Sequence, residues 1–296
     1  MRKTFRALLA GTVLAAGLVA APAAANAATQ VCWSPTNPKM ALKLSNDIQA
    51  AMRGRQTTMG VGVWDRKHKV TCWVRSTTHF DAASTIKASI LAALLYKKGG
   101  PGNLTSWERG QARLMITQSD NTAATNLWND VGMTALKRFL TKAGMTHTGL
   151  SSAWGLTQET AHDEVVLLTK LTAPSLLSTA SRNYELSLMN QVVAGQGWGT
   201  PYGHPAGVTV HVKNGWLPRA THGWRINSLG TFNGGGRDYM IALLSTDNPS
   251  ESYGITSLQR VARVIHHDLN PGSSFTAREQ TGDYPANEIS DGSATP

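Results

Sequence analysis

Residues 80–95 read FDAASTIKASILAALL, with Ser84 and Lys87 at the mouth of an otherwise apolar helix. A spacing of i and i+3 puts the hydroxyl and the amine on one helix face, one turn apart, where a neutral amine can take the hydroxyl proton. That makes Ser84 a candidate nucleophile. Ile86, Ile90, Leu91, Leu94 and Leu95 surround Lys87 with hydrocarbon, and desolvation favours the uncharged base. A lone S-x-x-K is more often a helix cap with a snorkelling lysine, so the decision rests on the rest of the chain.

Residues 1–27 carry three cations, a short apolar run and an A-x-A pattern at Ala25-Asn26-Ala27, the signature of a secretory signal. The product is expected outside the cell or in its wall. No later segment has the roughly 18 unbroken apolar residues of a membrane span. The formal charge of +10 includes Arg2, Lys3 and Arg6 of that segment. The remaining positive charge would draw the protein to anionic cell-wall polymers, or serve solubility alone. Cys32 and Cys72 are the only cysteines, and an even pair in an oxidising compartment predicts a disulfide. The nine histidines are scattered, with only His266 and His267 adjacent, about 100° apart on a helix, so no metal site is expected.

Apolar residues every fourth position from Met40 to Met52 predict a helix over Asn37–Arg53, and alternation through Met59–Val63 and Val70–Val74 predicts a hairpin. The Ser84 helix stops at Gly99-Gly100-Pro101-Gly102, and Thr105 with Glu108 forms a capping-box pattern for the next. Further helices are expected over Thr122–Val131, Thr134–Ala143, Ala161–Leu171 and Ser178–Val193. Strands are expected around Val208–Val212, Trp224–Phe232 and Tyr239–Leu244, before a closing helix over Tyr253–Leu269. After Pro271 the composition is that of a disordered tail.

Two later motifs bear on Ser84. Ser119-Asp120-Asn121 precedes a helix, where capping alone would select such residues. Lys213-Asn214-Gly215 ends a strand, where glycine lets a ligand lie close and lysine supplies charge; an ordinary polar strand end also fits. S-x-x-K, then S-D-N, then lysine-x-glycine, in that order with helices between, is far less probable by chance than any one of them.

Over about residues 36–269 this order resembles the superfamily of serine β-lactamases and penicillin-binding DD-peptidases, closest to class A. The resemblance implies an α+β fold: an antiparallel sheet flanked by terminal helices, with an inserted all-helical subdomain. The domain would span 28–270, its sheet part at about 30–82 and 207–270 and its helical part at about 83–206, followed by the tail 271–296. It also implies roles: Ser84 as acyl-accepting nucleophile, Lys87 as general base, Ser119 as proton relay to the leaving nitrogen. Asn121 would hold Lys87 and contact the substrate amide, Lys213 would favour an anionic substrate, and the backbone amides of Ser84 and Trp216 would form the oxyanion hole. The substrate would be a small β-lactam or a peptidoglycan-like peptide. No cofactor, nucleic acid or partner subunit is implied.

The chain departs from class A in three places. The long loop whose glutamate activates the deacylating water is missing, and the only glutamate between Asn121 and Thr160 is Glu159. Asn214 replaces the usual hydroxyl residue, and its amide is expected to donate to the substrate carboxylate instead. The short segment between Ser84 and Ser119 predicts a more open cleft. Slow β-lactam turnover is therefore expected, with a DD-peptidase or esterase as the alternative enzyme. From another class, the chain would be a non-catalytic wall- or protein-binding module using Trp-rich loops such as those of Trp198 and Trp216.

Overall fold

Met59, Val61 and Val63 point to one side of a strand, and Gly60, Gly62 and Trp64 to the other. In the computed structural model, which describes residues 29–276, this strand is β2 (Thr58–Asp65), and it lies inside a six-stranded sheet. The sheet also holds β1 (Cys32–Trp33), β3 (Val70–Val74), β6 (Thr209–Pro218), β7 (Trp224–Gly234) and β8 (Arg237–Asn248), in the order β1-β3-β2-β8-β7-β6. All its neighbours are antiparallel. A two-stranded ladder, β4 (Phe80–Asp81) with β5 (Gln158–Glu159), stands apart from it.

The sheet is buried on both faces, and alternation along β8 shows how. Tyr239, Ile241 and Leu243 pack with the terminal helices α1 (Pro38–Met52) and α8 (Glu251–Leu269). Met240, Ala242 and Leu244 join the second core, built with α2 (Ile86–Lys98), α3 (Ser106–Thr117), α4 (Asn121–Val131), α5 (Met133–Ala143), α6 (Ala161–Thr172) and α7 (Thr179–Asn190). Helix α2 is buried on every side from Ile86 to Leu95, as expected of a helix apolar all round. It ends at Gly99, whose φ of 74° suits a residue without Cβ. Thr105 and Glu108 form the expected capping box.

Cys32 and Cys72 sit opposite one another on β1 and β3 and are joined by a disulfide. Among the described residues no helix is long and apolar enough to cross a membrane. The signal expected over 1–27 lies outside the described residues. The expected tail start at 271 needs correction, because the chain stays anchored up to Thr276. Phe275 stacks on His267 and bridges to Pro205, while Thr276 N–H donates to the His204 carbonyl. Those contacts were invisible to composition; residues 277–296 lie outside the described residues.

Buried carboxyls set how stability responds to pH. Glu185 on α7 is fully buried, neither oxygen has a hydrogen-bond partner, and burial raises its pKa well above the usual range. Burial likewise pushes Glu159 up to about 8 and raises Glu164. A raised acid stabilises fully below its unfolded pKa near 4.5, and that stability is lost as pH climbs through the folded value. Buried His266 runs oppositely, pushed down to about 3, so its contribution is complete above about 6.5. Urea unfolding should therefore show stability falling from pH 6.5 to 8, by up to about 1.4 kcal/mol per pH unit for each such carboxyl. Glu185→Gln should flatten this slope; an unchanged slope would show that Glu185 does not contribute to it.

Candidate active site

Ser84 lies in a 3-10 turn, Ala83–Thr85, that leads directly into α2. Its left-handed neighbour Ala83, at φ 50°, is a strained residue without the excuse of glycine. Edge strand β6 runs along this turn so closely that a Cβ on Gly215 would fall 2.7 Å from Ser84 N, 2.8 Å from Ala82 O and 2.9 Å from Thr85 N. Close backbone approach is thus what requires glycine here.

Asp120 accepts from Ala123 N at 2.7 Å and caps α4, which leaves its neighbours free to face inward. Ser119 takes φ 59°, and its Oγ accepts from Lys87 Nζ at 3.1 Å and from Lys213 Nζ at 2.9 Å. Lys87 also donates to the Ser119 carbonyl at 2.5 Å and to Asn121 Oδ1 at 2.8 Å, and lies 4.7 Å from the centre of the Trp154 ring. Lys213 donates to its neighbour's carbonyl, Asn214 O, at 2.9 Å. Lys87, Ser119 and Lys213 have no solvent exposure, and Ser84 has 4%. Strand β6 packs directly against the 3-10 turn at this point.

Two further expectations need correction. Both amide hydrogens of Asn214 are used within the protein, donated to Gln196 O at 2.8 Å and Trp198 O at 3.0 Å. Its side chain therefore ties down the 194–199 segment and does not offer a donor to a substrate carboxylate. Trp198 and Trp216 are 1% and 6% exposed and pack edge to face, 5.8 Å between centres. Rings of that size complete the core where the segment meets β6, so they form no binding surface.

No motif pointed to the surroundings of Thr85 or of Trp154. Thr85 Oγ1 lies 2.6 Å from both Ala82 O and Glu159 Oε2. Asn227 Nδ2 reaches the carbonyls of Asp81 and Ala82, at 2.9 and 3.0 Å. Among the described residues one His/Asp group has ligand-like proximity: His147 and His162 direct Nδ1 at Asp163 Oδ1, at 3.3 and 3.1 Å. Asp163 Oδ2 accepts from His147 N and Thr148 Oγ1, so hydrogen bonds account for the whole carboxylate. Spacing concealed this cluster, since fifteen residues separate the imidazoles.

Comparison with known proteins bears on both fold and chemistry. No curated protein sequence matches the chain. A class A β-lactamase from Bacteroides cellulosilyticus is 17% identical over 77% of this chain and 97% of its own, with a TM-score of 0.67. The TLA-3 extended-spectrum β-lactamase is 18% identical over 76% and 98%, also at 0.67. An ancestral class A β-lactamase is 21% identical over 75% and 98%, at 0.63. These likenesses establish a shared fold. Residues 96–269 match the beta-lactamase enzyme family, a segment that begins after Ser84 and Lys87. Because that segment covers more than half of the chain and takes in Ser119 and Lys213, the chain belongs to the beta-lactamase enzyme family, as a serine hydrolase of the β-lactamase type.

Proposed function

We propose that the protein opens β-lactams by forming an acyl-enzyme at Ser84 and releases the product slowly. The observation that carries this reading is the pair of buried lysines bracketing Ser119 Oγ, one of them a helical turn from Ser84. Two ammonium groups on one hydroxyl in a water-poor site repel each other, which favours Lys87 as proton acceptor and Lys213 as fixed cation. Lys87 takes the Ser84 Oγ proton as the oxygen bonds to the lactam carbonyl carbon. On collapse the ring C–N bond breaks, and the nitrogen takes the Ser119 hydroxyl proton, which Lys87 replaces. Asn121 holds Lys87 and lies beside the path of the substrate amide. Backbone N–H groups of Ser84 and Trp216 would receive the oxyanion, where one donor is worth roughly 3 to 4 kcal/mol. Gly215 supports that pairing by bringing β6 against Ser84 N.

Slow release follows from Glu159, which is fully buried and bonded to Thr85 and so is ill-placed to activate water. The disulfide fits residence in an oxidising compartment, outside the cell or in its wall. Mass spectrometry after a penicillin soak should find the intact drug added to the peptide bearing Ser84, and Ser84→Ala should carry none. Equal labelling of Ser84→Ala, or a parent protein that never labels, would overturn the proposal.

A further inference from the structure

The Thr85 hydroxyl poses a proton-counting problem. It has one hydrogen and two oxygen neighbours at 2.6 Å, the Ala82 carbonyl and Glu159 Oε2. A carbonyl can only accept, so a Thr85 hydrogen given to Glu159 would leave two acceptors facing each other at that distance. All three atoms are satisfied in one arrangement: Glu159 Oε2–H donates to Thr85 Oγ1, and Thr85 Oγ1–H donates to Ala82 O. We propose that Glu159 is a protonated carboxylic acid that positions the nucleophile turn, acting on Ser84 through Thr85 and the Ala82 carbonyl.

The surroundings agree. The β4–β5 pairing sets Glu159 opposite Phe80, just before the turn, and no part of Glu159 reaches solvent. Burial, reinforced by the charge of Asp163, pushes its pKa up to about 8, and burial raises Glu164, in the first turn of α6, as well. On the elements packed around it, Asp81 of β4 is paired with Arg225 and Arg219, and Lys87 of α2 is bonded to Ser119 and Asn121. Asp163 carries His147 and His162. What the acid steadies is strained: Ala83 sits at φ 50°, and the Ala82 carbonyl also collects Thr85 N at 3.2 Å and Asn227 Nδ2 at 3.0 Å. Ionisation would turn Glu159 from donor to acceptor, draw the Thr85 hydrogen away from Ala82 and loosen the turn.

This inference rests on Ser84 being the nucleophile, and the test separates the two. The rate of Ser84 labelling by a fluorescent penicillin should fall about tenfold per pH unit above pH 8 in the parent, as the protonated acid is depleted. Glu159→Gln retains an N–H donor at every pH, so it should label within about threefold of the parent at pH 7 and lose that alkaline fall. Glu159→Leu removes the donor and should label on the order of 10- to 100-fold more slowly while its circular dichroism stays native. Glu159→Gln as slow as Glu159→Leu, or with the parent's alkaline fall, would overturn the proposal. Infrared difference spectra give a readout independent of catalysis: the carbonyl band of a protonated acid should be present at pH 7 and missing from Glu159→Gln. Labelling of Ser84→Ala would refute Ser84 as nucleophile, and this band would still decide the protonation of Glu159.

Discussion

Lys87→Ala is expected to slow acylation by 10²- to 10⁴-fold while the fold persists, the usual loss when a general base is removed. Alanine fits the helix, and the neighbouring groups on α2 are aliphatic, so the backbone has no reason to move. The change does strand two acceptors, the Ser119 carbonyl and Asn121 Oδ1, which now receive the amine at 2.5 and 2.8 Å. Some loss of thermal stability should accompany the kinetic loss, since a buried acceptor left unpaired costs about 1–3 kcal/mol. Stopped-flow labelling with a chromogenic cephalosporin measures the rate, and calorimetry the stability. Acylation at the parent rate would remove Lys87 from the mechanism. A slow mutant whose rate recovers on adding small primary amines would confirm its part in proton transfer.

Gly215→Ala should be comparably severe for a different reason. The added methyl would meet three backbone atoms, Ser84 N, Ala82 O and Thr85 N, at 2.7 to 2.9 Å, and backbone cannot rotate away as a side chain can. Either β6 shifts outward or the 3-10 turn does, and both displace the N–H groups proposed for the oxyanion. A misplacement near 1 Å costs on the order of 10²-fold. The expected result is a folded protein with intact Lys87 and Ser119 whose acylation is about a hundredfold slower. Labelling at the parent rate would mean that this contact does not set the geometry of Ser84.

The parts of the molecule that were legible in its sequence share one property: each is specified by neighbours in the chain. Helix α2 announces itself by unbroken apolar residues and Gly99, helix α3 by Thr105 and Glu108, and β2 and β3 by alternation. Even the meeting of Lys87, Ser119 and Lys213 was readable, because three short motifs in a fixed order stand for one known arrangement. The remainder depends on contacts between distant residues that leave no local trace. Strands β1, β4 and β5 have two residues each, too few for any period. Glu159 meets Thr85 across 74 residues, and Trp154 meets Lys87 across a whole set of helices. Asn214 looked like a substrate ligand because its position in the motif was right, whereas its amide faces the opposite way, towards the 194–199 segment.

The strand order has a kinetic consequence. Strand β2 pairs with β8, so Val61 lies opposite Leu243, and the two halves of the sheet come from opposite ends of the chain. Such pairing closes a very long loop before any contact rewards it, and folding of this kind is slow. Ser84 is synthesised in the first third of the polypeptide, yet the strand that bears Lys213 and Gly215 emerges more than a hundred residues later. A nascent chain therefore carries the serine without the strand that completes its surroundings. Reactivity towards acylating agents should appear in one step, together with burial of β8, and could serve as a covalent clock for the last stage of folding.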